Sequence, residues 1–325
     1  MKAIRAHEWC EPRGLVVDEI QRPEPQADQI LVKVHTAALN FPDLLLIAGK
    51  YQVKPDLPFT PGLEVAGTIE QLGEGVDSFQ LGQRVIAPVG MGAFAEYAVA
   101  PVGGAQPMPE SMSYDEGAVF PLVYQTAYFG IAHRGQLQPG ETVLIHSAAG
   151  GVGLAALQIA RALGAGKIIA TAGSDDKLEV LKDQGADIAI NYQTRDFVDI
   201  VKRETGGHGA DVIYDPVGGE LGERNTKCVA FEGRIVVIGF TSGKFSNFAS
   251  NHILIKNYSV VGLHWGSYRD RNPAKIQQAW KELFALYEGG RLKPVIGGRF
   301  PMERIADAME LLASRKAVGK IVMYW

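Results

Sequence analysis

The stretch Glu141–Ala165, ETVLIHSAAGGVGLAALQIARALGA, decides how the chain is read. An apolar run, Thr142–His146, enters a turn of small residues, Ala148-x-Gly150-x-x-Gly153, and a helix rich in Ala and Leu follows over Val152–Leu163. Each small residue has a physical job. Ala148 permits the tight turn, Gly150 lacks the Cβ that would keep a pyrophosphate away from the backbone, and Gly153 lets helix and strand pack closely. The free N–H groups at the helix start then face an anion. Ala148, Gly150, Gly151, Val152 and Gly153 are therefore candidate dinucleotide-binding residues. An ordinary Gly-rich turn is the competing reading, because such a string alone is weak; its setting between strand and helix separates the two.

That setting extends on both sides. Short β-branched runs at Lys167–Thr171, Ile188–Tyr192, Val212–Asp215, Arg234–Gly239 and Ser259–Leu263 alternate with helical segments at Lys177–Gln184, Phe197–Glu204 and Glu220–Phe231. Counting Thr142–His146, six strands alternate with helices, which predicts an α/β, doubly wound parallel sheet. Its middle strands are nearly all apolar, as burial on both faces requires. Residues before about Pro121 read differently. Ile30–His35, Ala66–Leu72 and Arg84–Pro88 are short apolar stretches punctuated by Pro and Gly, which predicts a compact, irregular β-rich domain. Near the end, Ala274–Tyr287 and Ile305–Ser314 read as helices and Lys320–Tyr324 as a strand. This tail does not continue the alternation, so it is expected to return to the first domain. The expected division is 1–122 with 266–325, and 123–265.

The end of the second strand selects the dinucleotide. NAD sites carry an acid about 20 residues past the turn, to hold the ribose 2′-hydroxyl. Here the aligned position is Ala172, followed by Gly173 and Ser174. A 2′-phosphate is then not repelled, and Lys177 and Tyr192 lie where they can reach it. A charged hydrogen bond contributes roughly 1.5–3 kcal/mol, so two would favour NADPH over NADH by about 10²–10⁴-fold. Asp175 and Asp176 complicate this; in the first turn of a helix they point to solvent and favour its dipole. Lys177 also reads simply as a surface lysine.

The bulk composition excludes several classes. The chain has 325 residues, 46% hydrophobic and 21% charged, and a net charge of −4. Nucleic-acid binding needs a basic face, which this balance does not suggest. Only two cysteines occur, Cys10 and Cys228, so neither a disulfide framework nor a cysteine metal knuckle is expected. No apolar run reaches the ~20 residues of a membrane span, and the N-terminus does not read as a signal peptide. A reducing, cytoplasmic setting is the expectation.

The chain resembles the medium-chain dehydrogenase/reductase superfamily, in particular its zinc-free, zeta-crystallin-like quinone oxidoreductases. The segments that carry the resemblance are AALNFPDLLLIAGKY, PGLEVAGTIEQLGEGVDSFQLGQRV, VYQTAY, the AAGGVG turn, INY ending at Tyr192, and NHILIKNYSVVGLHWG. The last, with GKYQVKP, looks like a bacterial NADPH:quinone reductase subgroup. The resemblance implies a GroES-like catalytic domain around a Rossmann domain, a homodimer, and hydride transfer from NADPH to a quinone or conjugated enone. The zinc enzymes of the superfamily carry Cys and His ligands where this chain has Asn40, Leu63 and a residue near Leu122, although Glu64 remains. A catalytic zinc needs about three N, S or O ligands, so no metal is expected. Without a metal to polarise a carbonyl, acceptors that need less polarisation suit the site. By resemblance, Asn40 and Tyr51 line the substrate side and are the catalytic candidates, with Tyr51 able to donate to a developing oxyanion. Asp43 has a similar position and reads equally as structural. Thr126, Phe240, Leu263 and Trp265 are expected beside the nicotinamide, and Lys320 on a phosphate or ribose.

Two other readings stay open. An enoyl or acryloyl thioester reductase shares fold and cofactor, and Arg269 and Arg271 are the nearest basic residues for its thioester's phosphates. A non-catalytic, crystallin-like NADPH-binding protein needs no chemistry at all.

Overall fold

The computed structural model describes all residues, Met1–Trp325. The chain divides into two compact units, Met1–Leu122 with Pro294–Trp325, and Val123–Lys293.

The first unit is β-rich. Its strands are β1 (Lys2–Arg5), β2 (Val16–Glu19), β3 (Gln29–Leu39), β4 (Glu64–Leu72), β5 (Arg84–Pro88), β6 (Tyr97–Pro101) and β7 (Gln106–Pro107). The long β3 lies at its centre, paired antiparallel with β4 and β6, and β5 and β7 extend the sheet beyond β4. Alternating side chains of β3, β4 and β5, among them Ile30, Val32, Ile69 and Val85, bury one face around Phe94 and Met302. Two helices interrupt the β reading. Phe41–Ile47 follows Asn40, whose N–H donates to the Asp43 carboxylate at 2.7 Å, the reach-back half of a capping box. The second opens at Tyr114 after Ser113, which forms a full box with Glu116, and its helical backbone continues past Val119 to Arg134.

The second unit holds β8 (Thr142–Ile145), β9 (Lys167–Ala172), β10 (Ile188–Asn191), β11 (Ala210–Asp215), β12 (Val229–Val237) and β13 (Ser259–Gly262). All neighbouring pairs are parallel, in the order β10-β9-β8-β11-β12-β13. This is the doubly wound order whose ligand crevice opens where the winding reverses, outside the ends of β8 and β11.

Two boundaries differ from the sequence reading. The helix expected over Glu220–Phe231 stops at Arg224, a single tight turn covers Asn225–Lys227, and β12 begins at Val229. Val229 and Ala230 are buried against the sheet, and a short apolar run has the same pattern in a helix and in a strand. The return to the first unit comes at Pro294 and not at 266. Helix Pro273–Glu288 stays with the second unit: its Glu282 accepts from the Tyr128 hydroxyl, and Ile276, Ala279, Trp280 and Leu283 are buried. Beyond it, β14 (Ile296–Pro301) and β15 (Lys320–Tyr324) rejoin the first sheet, β15 antiparallel to β3. No helix is long and apolar enough to cross a membrane.

Candidate functional site

In the second unit, the turn after β8 is built as its small residues dictate. The Ala148 N–H donates to Thr171 O at 2.9 Å, which ties the turn to the end of β9. Ser147 takes φ 50°, the left-handed region that is costly for a residue with a Cβ. The helix Gly151–Ala162 then starts with Gly150 as its cap. A Cβ on Gly153 would lie 2.5 Å from Ser147 O and 2.6 Å from Ala148 Cα, so this glycine sets the helix–strand approach. A Cβ on Gly150 would meet nothing closer than Ser147 O at 3.4 Å. Its smallness therefore answers to no neighbour in the chain and leaves a cradle that a pyrophosphate fits.

Beneath the turn, His146 is fully buried between the Thr171 hydroxyl at 3.0 Å and Asn225 Oδ1 at 2.7 Å. Asn225 in turn donates to Asp215 Oδ2, and Asp215 Oδ1 accepts from the N–H groups of Val217 and Gly218. Burial pulls the imidazole below its ordinary range. His146 thus braces β8, β9 and β11 and is no ligand.

At the ends of β9 and β10, Gly173 and Tyr192 come together. A Cβ on Gly173 would sit 3.1 Å from the Tyr192 hydroxyl. The Ser174 hydroxyl is engaged by Asp176, and Asp175 Oδ1 accepts from Asn191. Both acids are thus partnered, and both are exposed. Burial pulls Lys177 below its ordinary value, with Asp176 opposing. Phe240 follows β12, against Gly218 and edge-on to Phe245 at 4.8 Å; Leu263 and Trp265 follow β13 and are buried. Thr126 is half-buried in the short helix Gln125–Tyr128.

In the first unit, three strand ends converge. β3 ends at Leu39 and leads into Asn40, β4 starts at Glu64, and β15 starts at Lys320, whose neighbour Ile321 pairs with Leu39. The Lys320 ammonium donates to Asn40 Oδ1 at 2.5 Å, Leu39 O at 2.7 Å and Glu64 Oε1 at 3.2 Å. Asn40 Nδ2 donates to Glu64 Oε1 at 2.8 Å and to Ala38 O at 3.3 Å, and Glu64 Oε2 accepts from Leu122 N–H. Glu64 and Asp43 are completely buried. Asp43 Oδ1 has no partner, and burial pushes its carboxyl up to about 7, against the Asn40 hydrogen bond and the Lys320 charge. Burial likewise pulls Lys320 down, while Glu64 holds it up.

These contacts bear on the expectations for Lys320 and Asn40. An ammonium has three donors, and those of Lys320 are spent inside its own unit, which leaves none for a phosphate or ribose. Both amide hydrogens of Asn40 are also directed inward, to Ala38 O and Glu64 Oε1. Tyr51 lies in a bend, half-buried, with no hydrogen bond from its hydroxyl to the rest of the chain. The Glu64–Lys320 pair was not foreseen, although a lone acid retained at Glu64 beside non-ligand residues was a signal that it had another partner. No three His, Cys, Asp or Glu side chains gather as a metal-binding group.

Residues 26–110 match the family model for the alcohol dehydrogenase GroES-like domain, and residues 151–288 that for zinc-binding dehydrogenases. A quinone oxidoreductase-like protein 2 homolog of Nematostella vectensis is 36% identical over 99% of this chain and 88% of its own. A solved Escherichia coli quinone oxidoreductase complexed with NADPH superposes with a TM-score of 0.92 at 30% identity, covering 100% of both chains. A CurK enoyl reductase superposes with a TM-score of 0.90 at 31% identity, over 99% of this chain and 98% of that one. The first unit is thus a GroES-like fold and the second a Rossmann fold, and the chain belongs to the quinone oxidoreductase family of the medium-chain dehydrogenase/reductase superfamily.

Proposed function

We propose that the chain transfers a hydride from NADPH to a quinone or a conjugated enone, without zinc. The observation that carries this reading is the Lys320 ammonium lodged between Asn40 and Glu64. Of the residues aligned with the zinc ligands and their neighbour, only Glu64 is an acid, and its charge is already balanced by a buried cation. A divalent ion there would face an ammonium and too few ligands. Acceptors with electron-poor double bonds need less polarisation than a simple carbonyl, so quinones and enones suit this site.

When bound, the reduced nicotinamide supplies the hydride. The N–H groups of Gly151, Val152 and Gly153, at the start of a helix, hold the pyrophosphate beside Ala148 and Gly150. Gly173, Ser174, Lys177 and Tyr192 hold the ribose phosphate, with Lys177 supplying the charge. Thr126, Phe240, Leu263 and Trp265 wall the nicotinamide and exclude water. Asn40 lines the substrate side, and Tyr51 donates a proton or hydrogen bond to the oxyanion that develops on the acceptor. The bacterial NADPH:quinone reductase subgroup is part of the proposal, supported by the run Asn251–Gly266. So are a cytoplasmic setting, supported by two unpaired cysteines, and a homodimer, supported by family resemblance and the open edge of β13 beside exposed Leu254 and Ile255.

The test is steady-state NADPH oxidation with a panel of 1,2- and 1,4-quinones, enones and enoyl thioesters, with metal analysis of the same sample. Turnover of quinones or enones, a lower Michaelis constant for NADPH than for NADH, and no stoichiometric zinc are expected. Zinc whose removal abolishes turnover, or cofactor binding without turnover of any acceptor, overturns the reading. An enoyl thioester reductase is the second reading, favoured by the match to CurK and by Arg269 and Arg271 in the helix Gly266–Arg271. Crotonyl-thioester turnover well above that of every quinone would select it.

A further inference from the structure

The second unit carries another hollow, at the opposite end of its sheet from the dinucleotide turn. In a parallel sheet all strands start at one edge. The hollow is lined by residues just before β11 and at the start of β12, while the turn follows the far end of β8. Its volume is about 240 Å³. A water's share of the liquid is about 30 Å³, so this is room on the order of eight waters.

Its lining is basic. Lys202 comes from the last turn of helix Phe197–Glu204, Lys227 from the tight turn before β12, and Lys256 from the end of helix Ser250–Lys256. Lys202 favours the dipole of its own helix, but that accounts for one lysine of three. Neither the Lys202 nor the Lys227 ammonium has an ion-pair partner, and Lys256 donates only to the carbonyls of Thr226 and Val229. The nearby acids already have partners, one of them His208 in the hollow's own wall. Asp211 is bonded to His208 at 2.7 Å, Asp196 to Arg224 at 2.6 Å, and Glu204 to Arg203 at 2.6 Å. Lys256 is pulled below its ordinary value by burial and by the Lys202 charge, with Cys228 opposing. Cys228 itself is buried, its thiol pushed up to about 12, so it is an inert wall and supplies no counter-charge. Phe231 stands at the rim, 62% exposed. The Lys202 and Lys256 charges oppose one another with no carboxylate bonded to either, and an anion relieves that repulsion. An exposed ring beside them offers a face on which a planar group stacks.

We propose that this hollow is a second ligand site, which binds a nucleoside monophosphate with its phosphate among Lys202, Lys227 and Lys256 and its base on Phe231. It is independent of the hydride-transfer reading.

Titration calorimetry on the full chain tests it, with inorganic phosphate and adenosine monophosphate as separate probes, with and without saturating NADP⁺. Lys256 is left intact because of its backbone bonds. The double variant Lys202→Ala, Lys227→Ala is expected to weaken both probes at least tenfold. Phe231→Ala is expected to weaken adenosine monophosphate about tenfold and leave phosphate unchanged. NADPH-dependent turnover should be unaltered in all of them, and if the chain proves to lack turnover the binding result still stands. Unchanged affinities in the double variant, or probe binding that disappears once NADP⁺ is saturating, would overturn the proposal. Phosphate binding that responds to the lysines, with Phe231→Ala leaving adenosine monophosphate unaffected, would overturn the nucleoside part.

Discussion

Asp43 is a carboxyl sealed in the first unit with one oxygen bonded to the Asn40 N–H and the other without a partner. Burial raises it from 3.8 to about 7, while the Asn40 bond and Lys320 act against burial and Glu64 acts with it. Between about pH 4 and pH 7 the folded chain therefore holds a proton that the unfolded chain has released. Stability then falls as pH rises through that window. Below about pH 4 both states are protonated and the contribution is fully present; above about pH 7 it is lost. At about 1.4 kcal/mol per pH unit, roughly three units give about 4 kcal/mol as the upper bound. The substitution Asp43→Asn keeps an oxygen for the Asn40 N–H and removes the proton. An amide hydrogen without a partner costs about 1–3 kcal/mol, but equally at every pH. Equilibrium urea unfolding is expected to show the variant gaining about 2–4 kcal/mol on the parent between pH 4 and pH 8. An infrared band of a protonated carboxylic acid should be present in the parent below pH 6, titrate near the value given by burial, and be absent from the variant. Parallel stability curves over the whole window, with no such band, would show Asp43 ionised throughout and refute the reasoning.

Lys320→Met leaves Glu64 buried without its cation and is expected to cost about 3–5 kcal/mol in urea unfolding, part of which Glu64→Gln in the same chain restores; a loss below about 1 kcal/mol would remove the pair from the account. Gly153→Ala forces a Cβ onto Ser147 O and should cost about 1–3 kcal/mol of stability, whereas Gly150→Ala has space in the protein and should cost under about 1 kcal/mol while weakening NADP⁺ binding at least tenfold. Equal thermal shifts for the two would contradict their separate roles. Lys177→Ala should raise the NADPH dissociation constant about tenfold and leave that of NADH within about twofold; an unchanged ratio would take Lys177 off the ribose phosphate. Tyr51→Phe should lower kcat for quinones with little change in the NADPH Michaelis constant, and full turnover with every acceptor would end its proton-donor role.

Much of the fold was legible because its signals are local. The six alternating runs of the second unit appear as parallel strands, since a strand covered on both faces is apolar along its length and its flanking helices repeat at their own period. In the first unit the helix Phe41–Ile47 leaves only a cap signature in the sequence, Asn40 with Asp43, because seven residues have too few turns for a periodic stripe; the helix that opens after Ser113 continues past Val119 as far as Arg134, and its local signal is the Ser113–Glu116 box. The helix expected over Glu220–Phe231 ends at Arg224 for a related reason: nothing local tells Val229 and Ala230 to leave a helix for a sheet that forms with Ala210.

By itself the sequence determined that an apolar strand leads through the small residues Ala148, Gly150 and Gly153 into a helix, whereas the expectation that Asn40, Leu63 and a residue near Leu122 stand at zinc-ligand positions came from the family resemblance. The strand, turn and helix follow from which side chains exist and how they are spaced along the chain. Only the tertiary structure decided that Lys320 meets Glu64, 256 residues away. It also decided that the chain rejoins its first unit at Pro294. Both depend on the antiparallel register of β15 on β3 and on which unit buries helix Pro273–Glu288, and such long-range pairings are settled by packing and burial that no local pattern encodes.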